Sequence, residues 1–445
     1  MPGMTETVAV PFWLLVLILA FAGVTFASHF LFPSVRWVMR RRLERLVGAL
    51  NTRLHRKIEP FKIMRRQDMV VRLLYDPAVL EAVAEHAAEN GVPGEVALEE
   101  ARLYAREIVP GFSALFYFGF ATRAARWISA IFYRVRLGRL AQELSAIDPR
   151  ATVIFVMNHR SNMDYVLVTW LVSNRSAISY AVGEWARVWP LSRLIRAMGA
   201  YFIRRGSRNT LYRRVLARYV QIATAEGTTQ AIFPEGGLSL DGKVGPAKMG
   251  ILSYVWAGFE PSGRDVVFVP VGLGYDRVLE DGLLIRAAAT GERRFRPNLL
   301  RIAREALRIA ANRVGGRRYL FGVAAAGFGP PVSLRGFRKD GGSVEDLGAL
   351  LMAEIEKVVP VLSVPLVAAS LAENVPATDL VARLTASGAV LKLPPGGVAQ
   401  AEAEGRAMLH ARGVLDAAGR IRPEAQDLLA FYANPVRQRL GLAPK

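Results

Sequence analysis

Cysteine is absent from all 445 residues. The chain therefore has no disulfides, no zinc–thiolate sites and no iron–sulfur clusters, which fits a reducing compartment. No G-x-S-x-G occurs, so the nucleophile elbow of a serine hydrolase is missing. Histidine is scarce. His29, His55, His86, His159 and His410 are the five, and only His159 falls in the stretch that reads as α/β, with no histidine neighbour there for a zinc site. Negative charge is short as well: 38 Asp and Glu against 58 Lys and Arg leave a net +20. Such a chain seeks anionic partners, whether phosphorylated metabolites, anionic lipid, acidic protein or nucleic acid. Nucleic acid is not expected, because no helix-turn-helix, zinc or RNP-type signature is present.

One absence is local. From Val8 to Phe32 there is no Asp, Glu, Lys or Arg, a run long enough to cross a bilayer core of about 30 Å. Arg36, Arg40, Arg41, Arg42 and Arg45 follow, whereas only Glu6 precedes. The positive-inside rule then puts the C-terminal flank in the cytoplasm. The expectation is an N-terminal transmembrane helix within residues 1–35, anchored in the cell (inner) membrane with the catalytic part on the cytoplasmic side. A cleaved signal peptide is the alternative, with Ala20-Phe-Ala22 as its cleavage motif. The leader lacks a basic n-region, and the apolar run continues ten residues past that motif.

What is present divides the remainder into three. Residues 36–135 read as a basic and aromatic helical region next to the membrane. Within it, 76–108 reads as solvated helices interrupted at Gly91-Val-Pro-Gly94. Residues 110–133 interleave eight aromatics with Arg123, Arg126 and Arg134, which suits either a helix lying in the membrane interface or one packed on a core. Residues 136–335 alternate short apolar runs with helical periodicity. Strands are expected at 152–157, 177–182, 200–204, 230–234, 266–273 and 319–325, and helices at 163–173, 191–198, 209–225, 248–257 and 299–311. That alternation predicts an α/β fold: a mixed, largely parallel sheet flanked by helices. Gly327–Gly336 reads as a linker, and 336–445 returns to helix. Leu347–Leu371 is apolar, but its charges and two prolines argue against a membrane span.

The chemistry gathers at strand ends. The apolar run Val153–Met157 leads into Asn158-His-Arg-Ser-Asn162, with Asp164 five residues after His159. Asp164 can fix the imidazole tautomer and support its cation. A base with no protein nucleophile points to a hydroxyl on the substrate. Arg204 and Arg205 end the next motif as two guanidiniums suited to phosphate. Glu235-Gly236-Gly237 then offers a turn whose backbone can approach a ligand and cradle phosphate, with Lys243 following. Gly237–Lys243 fits G-x-x-x-x-G-K, but Val244 stands where Ser or Thr would hold magnesium, which removes an NTPase. Backbone amides at the start of the helix after Asn162 are expected to face a tetrahedral oxyanion.

These blocks resemble a known family. His159-Arg-Ser-Asn-Met-Asp164 is similar to the H-x4-D motif of the glycerolipid acyltransferases. Gly199-Ala-Tyr-Phe-Ile-Arg-Arg205, Phe233-Pro-Glu-Gly-Gly237 with Ser239, Gly242-Lys243 and Pro246–Lys248, and Val269-Pro-Val271 with Tyr275 resemble the branch using glycerol 3-phosphate or dihydroxyacetone phosphate. Phe431-Tyr-Ala-Asn434 is similar in character to that branch's C-terminal region. The resemblance implies His159 as general base with Asp164 supporting it. It also implies Arg204, Glu235 and Gly236 as glycerol phosphate contacts, with Arg205, Gly237 and Lys243 beside them. No metal or cofactor is implied. The acyl donor would be acyl-CoA or acyl-acyl-carrier-protein, the acceptor glycerol 3-phosphate, and the product a membrane lipid precursor. Leu238 and Leu240 stand where many members carry arginine, which keeps 1-acyl-glycerol 3-phosphate and dihydroxyacetone phosphate open as acceptors. The reading from another class is a membrane-tethered basic binding protein.

Overall fold

Six consecutive apolar or small side chains, Thr152–Met157, can be buried only if both faces of their strand are covered. The computed structural model shows that arrangement. It describes residues 11–26, most of 45–54, 58–137, 147–172, 176–183, 191–204, 206–291 and 321–443. Met1–Lys57 and Ile58–Lys445 form two separate units. In the larger one, eight strands make a single sheet: β1 (Arg134–Leu137), β2 (Thr152–Met157), β3 (Ser179–Val182), β4 (Tyr201–Phe202), β5 (Gln230–Ile232), β6 (Val266–Tyr275), β7 (Val323–Phe328) and β8 (Val332–Ser333). Their order is β1-β7-β6-β2-β5-β3-β4, with β8 on β6. β2 lies parallel to β5 and to β6, β3 parallel to β5 and β4, and β1 parallel to β7. Among the described residues only the pairings of β6 with β7 and β8 are antiparallel. The expected mixed, largely parallel sheet flanked by helices is what forms.

Side chains alternate across β2. Val153, Phe155 and Met157 enter one core, Ile154 and Val156 the other. The helices sort accordingly. Named in chain order, α1 is Phe12–Phe26, α2 Arg66–Leu74, α3 Pro77–Asn90, α4 Gly94–Ile108, α5 Thr122–Phe132, α6 Met163–Val172, α7 Thr210–Ala225, α8 Gly250–Ala257, α9 Val344–Val358, α10 Ser363–Glu373 and α11 Gln426–Arg439. Helices α2, α3, α4, α7, α8 and α9 supply the core containing Ile154 and Val156. Helices α6, α10 and α11 supply the one containing Phe155. Local chemistry sets the ends of several. Asp76 caps α3 with Pro77 at its first position, Gly91 closes it in the left-handed region, and Ser343 and Asp346 form a reciprocal cap on α9.

Several expectations are corrected. Residues 76–108 are not merely solvated: Val79, Ala82, Val83, Ala97, Ala101, Tyr104, Ala105 and Ile108 are buried in the core. Alanine is small enough to let the helices approach closely, and its modest apolarity concealed that face. Gly327–Gly336 is not a linker. It holds the end of β7, all of β8, and the start of a helix at Leu334. β1 was not expected, because Arg134-Val-Arg-Leu137 is short and half charged. The stretch 110–133 has both characters. Tyr117, Ala121, Ala125 and Ser129 are buried, while Phe120 and Trp127 are 57% and 64% exposed. Of the apolar run Val8–Phe32, the structure describes α1, 15 residues with none buried, about 22 Å at helical rise. Among the described residues no helix is long and apolar enough to cross a membrane. The rest of that run, Arg36 to Arg42 and the expected helix 299–311 lie outside the described residues.

The end of α9 lies directly on the sheet. A Cβ at Gly327 would stand 2.1 Å from the Val358 carbonyl oxygen, and one at Gly272 would stand 2.4 Å from the Val359 nitrogen. Both neighbours are backbone and cannot swing aside. Gly327→Val should therefore cost about 3 kcal/mol or more. The check is the midpoint of chemical unfolding, and an unshifted midpoint would contradict this contact.

Candidate active site

Parallel neighbours end at the same edge of a sheet, so the loops after β2, β5 and β6 converge. The loop after β2 carries His159, that after β5 carries Phe233–Gly237, and β6 ends in Tyr275 and leads to Glu280. Asn158 pins the first loop to β6: its side-chain amide donates to the Leu273 carbonyl at 3.0 Å, and its oxygen accepts the Leu273 N–H at 2.7 Å.

His159 and Asp164 meet as expected. His159 Nδ1 lies 2.8 Å from Asp164 Oδ2. The same oxygen accepts the N–H groups of Arg160 (2.7 Å) and Ser161 (3.0 Å), while Oδ1 accepts the Tyr275 hydroxyl at 2.6 Å. A carboxylate is acceptor-only, so the proton between the pair sits on Nδ1, and in the neutral imidazole the lone pair is on Nε2. Burial, with Asp164 beside it, holds the Tyr275 phenol well above its usual range, so it remains a donor. The imidazole stacks on Phe233 at 4.3 Å between ring centroids and meets Tyr165 edge-on at 5.5 Å. Its exposure is 1%.

The turn after β5 wraps around the backbone of His159. Glu235 Oε1 accepts the His159 N–H at 2.8 Å, and the Ser239 N–H donates to the His159 carbonyl at 2.8 Å. Glu235 also accepts the Gly245 N–H at 3.3 Å. Burial pushes its carboxyl up to about 7, against the pull of those two amides. Gly236 sits at φ +65°, and a Cβ there would meet the Lys248 side chain at 2.8 Å. Lys248 therefore lies across the turn. In the sequence the P-x-K spacing marks this lysine but gives it no role.

Glu280 is a residue that sequence reasoning missed. Its carboxylate accepts the Ser161 hydroxyl at 2.7 Å and the Asn162 N–H at 3.2 Å, and burial raises its pKa. A lone glutamate 120 positions away carries no sequence signal for this role. Its presence corrects the expected oxyanion site. The amides of Arg160 and Ser161 go to Asp164, that of Asn162 to Glu280, that of Met163 to the Ser161 oxygen, and that of Asp164 to the Ser161 carbonyl. None of these five is left for substrate.

The phosphate candidates divide. β4 runs parallel within the sheet, so Arg204 lies at the same edge as His159, three strands and about 14 Å away. Its fork is already closed on Glu107, at 2.9 and 2.7 Å, and it stacks over Tyr104 and Tyr212. Arg205 lies outside the described residues. The Lys243 ammonium makes no hydrogen bond or ion pair among the described residues, while its backbone is fixed by Ser239 and Asp241. Leu238 and Leu240 are partly buried against the core.

This constellation, a buried histidine–carboxylate pair at the C-terminal edge of a parallel sheet with a glycine turn folded over it, falls within a stretch that matches an acyltransferase domain. Residues 139–274 match the family model described as Acyltransferase, and the chain is similar to curated glycerol-3-phosphate acyltransferases. That of Alteromonas mediterranea is 26% identical over 355 residues, covering 76% of this chain and 42% of its own length. That of Pseudomonas entomophila is 29% identical over 280 residues, covering 62% of this chain and 32% of its own. The chain thus spans about two fifths or less of the length of these curated relatives. A solved structure of the 1-acyl-sn-glycerophosphate (LPA) acyltransferase PlsC from Thermotoga maritima covers 54% of this chain and 75% of its own, at 22% identity and a TM-score of 0.34.

Glu235 makes stability depend on pH. Its folded pKa of about 7 lies above the ordinary 4.5, so between those values the folded state keeps a proton that the unfolded state loses. Stability falls as pH rises through that window, and the cost is complete above about 7. Partial exposure discounts the full shift, leaving about 2 kcal/mol. The Glu235→Gln variant should lack this slope. Unfolding midpoints of both proteins from pH 4.5 to 7.5 check it, and parallel curves would refute it.

Proposed function

We propose that this protein moves a fatty acyl group from a thioester of coenzyme A or acyl carrier protein to the sn-1 hydroxyl of glycerol 3-phosphate. The observation that carries the reading is the His159 Nδ1–Asp164 contact, which leaves Nε2 as a base beside a glycine turn and a lysine. Nε2 takes the proton of the acceptor hydroxyl as its oxygen bonds to the thioester carbon. The carbon–sulfur bond then breaks, and the histidine cation returns the proton to the leaving thiolate. The amides of Gly237 and Leu238 donate to no atom among the described residues, and we assign them to the oxyanion. Lys243, Lys248, Gly236 and Glu235 form the acceptor subsite in this reading. Arg204 lies further along the edge, where phosphate must compete with Glu107 for its fork.

Membrane attachment belongs to the same reading. The described part of the N-terminal run is an uncharged helix with no buried residue, and Leu115, Phe120 and Trp127 are exposed beside Arg123 and Arg126. Both suit a lipid interface on the cytoplasmic side of the cell membrane. A second acceptor reading, 1-acyl-glycerol 3-phosphate or dihydroxyacetone phosphate, stays open on one departure from the branch's pattern: Leu238 and Leu240 stand where many members carry arginine, and both pack toward the core.

The test is acyl transfer in membranes with each of the three acceptors, using acyl-CoA and acyl-acyl-carrier-protein as donors. Glycerol 3-phosphate should be acylated, and His159→Ala should lower kcat by about 10²–10⁴-fold. Transfer only to another acceptor selects the second reading. Undiminished activity in the variant removes His159 as the base.

A further inference from the structure

Phe431-Tyr-Ala-Asn434 stood out in the sequence without a role, and the structure places it against the candidate site. Helix α11 meets the loop that follows the glycine turn through residues spaced along one face. Asn434 Nδ2 donates to the Asp241 carbonyl at 2.8 Å. Gln438 clasps Val244 twice, accepting its N–H at 2.8 Å and donating to its carbonyl at 2.9 Å. Between these anchors, the Gly242 backbone rests on the Phe431 carbonyl: a Cβ at Gly242, at φ +86°, would stand 2.1 Å from that oxygen. Pro435 lies inside the helix and has no N–H to offer residue 431, so this carbonyl is freed from the helical ladder where the loop comes in. The Phe431 ring lies 5.2 Å from the Arg160 guanidinium, which itself donates to the Gly242 carbonyl. Arg160 is next to His159 in sequence and 3% exposed. One residue along the helix, the Tyr432 hydroxyl donates to Asp281 at 2.7 Å and accepts the Val278 N–H at 3.0 Å, bracketing Glu280.

We infer that α11 is a working part of the active site, and that Asn434 and Gln438 are positioning residues that hold the Asp241–Val244 loop so that Lys243 meets the acceptor's phosphate. Four hydrogen-bonding groups of the loop backbone flank one lysine whose own ammonium is unengaged among the described residues. The arrangement fixes where that ammonium starts from without neutralising it. An acceptor that is a phosphate monoester on a short polyol needs such a fixed cation, because little else of it can be gripped. A merely structural helix would be needed for folding, but its loss would not discriminate between the two substrates.

The inference rests on the proposed acyl transfer, and its test separates the two. Gln438→Met keeps the side-chain length and removes both bonds to Val244, Gln438→Glu keeps the acceptor alone, and Asn434→Ala removes the third contact. In the full-length protein, the KM for glycerol 3-phosphate should rise about tenfold in Gln438→Met and in Asn434→Ala, and less in Gln438→Glu. The KM for the acyl donor should stay within twofold, about the scatter of such values, and hydrogen exchange should quicken at 242–245. If wild type acylates another acceptor, that acceptor takes the place of glycerol 3-phosphate in the comparison. Variants that lose thermal stability while both KM values hold, or that raise both equally, overturn the positioning role and leave the acyl-transfer reading standing. A wild-type protein that acylates none of the three acceptors overturns both.

Discussion

Everything at this sheet edge depends on one buried carboxylate and the four hydrogen bonds it accepts. Asp164 gathers the His159 ring, the amides of Arg160 and Ser161, and the Tyr275 hydroxyl. A buried anion must be satisfied by donors, and these come from its own loop and from the adjacent strand. The H-x4-D spacing is what closes this loop: the chain turns back on the carboxylate before entering α6. Tyr275 ties it to β6, and Glu280 ties the same loop from the far side. The imidazole is thereby oriented by contacts drawn from three segments of the chain.

The sheet explains why those segments meet. β2 lies between β5 and β6, parallel to both, so three loops share one edge and one end of the core. Covers on the two faces draw on distant parts of the chain, the N-terminal helices with α7, α8 and α9 on one side and α6 with α10 and α11 on the other. The segment carrying His159 and Asp164 is thus enclosed in part by regions that lie outside the stretch matching the family model.

The strands at 152–157, 230–234 and 266–273, and the pairing of His159 with Asp164, were legible because apolar runs ending in polar clusters leave a local pattern. Glu280, the pairing of Arg204 with Glu107 and the bond between Asn434 and the Asp241 carbonyl were not, since each joins residues far apart by side chains common on any surface. The alanine-rich face of α4 failed for another reason: alanine packs well without raising the hydrophobic signal. Arg134–Leu137 is a strand because β7 lies beside it, which no property of those four residues announces. The oxyanion expectation failed because amides at a helix start are usually free, and here Glu280, Asp164 and Ser161 consume them.

In the acyl transfer proposed above, the near-complete burial of His159 bears on what must be avoided. A thioester is reactive toward any hydroxyl, and water is by far the most abundant one. A base open to bulk solvent would serve water as readily as an alcohol, and the acyl chain would be lost as free acid. Here Phe233 covers one face of the imidazole and Tyr165 meets its edge, so the ring is screened from bulk water in this conformation. Selectivity against hydrolysis then resides in how the resting state is packed, ahead of any contact made to either substrate.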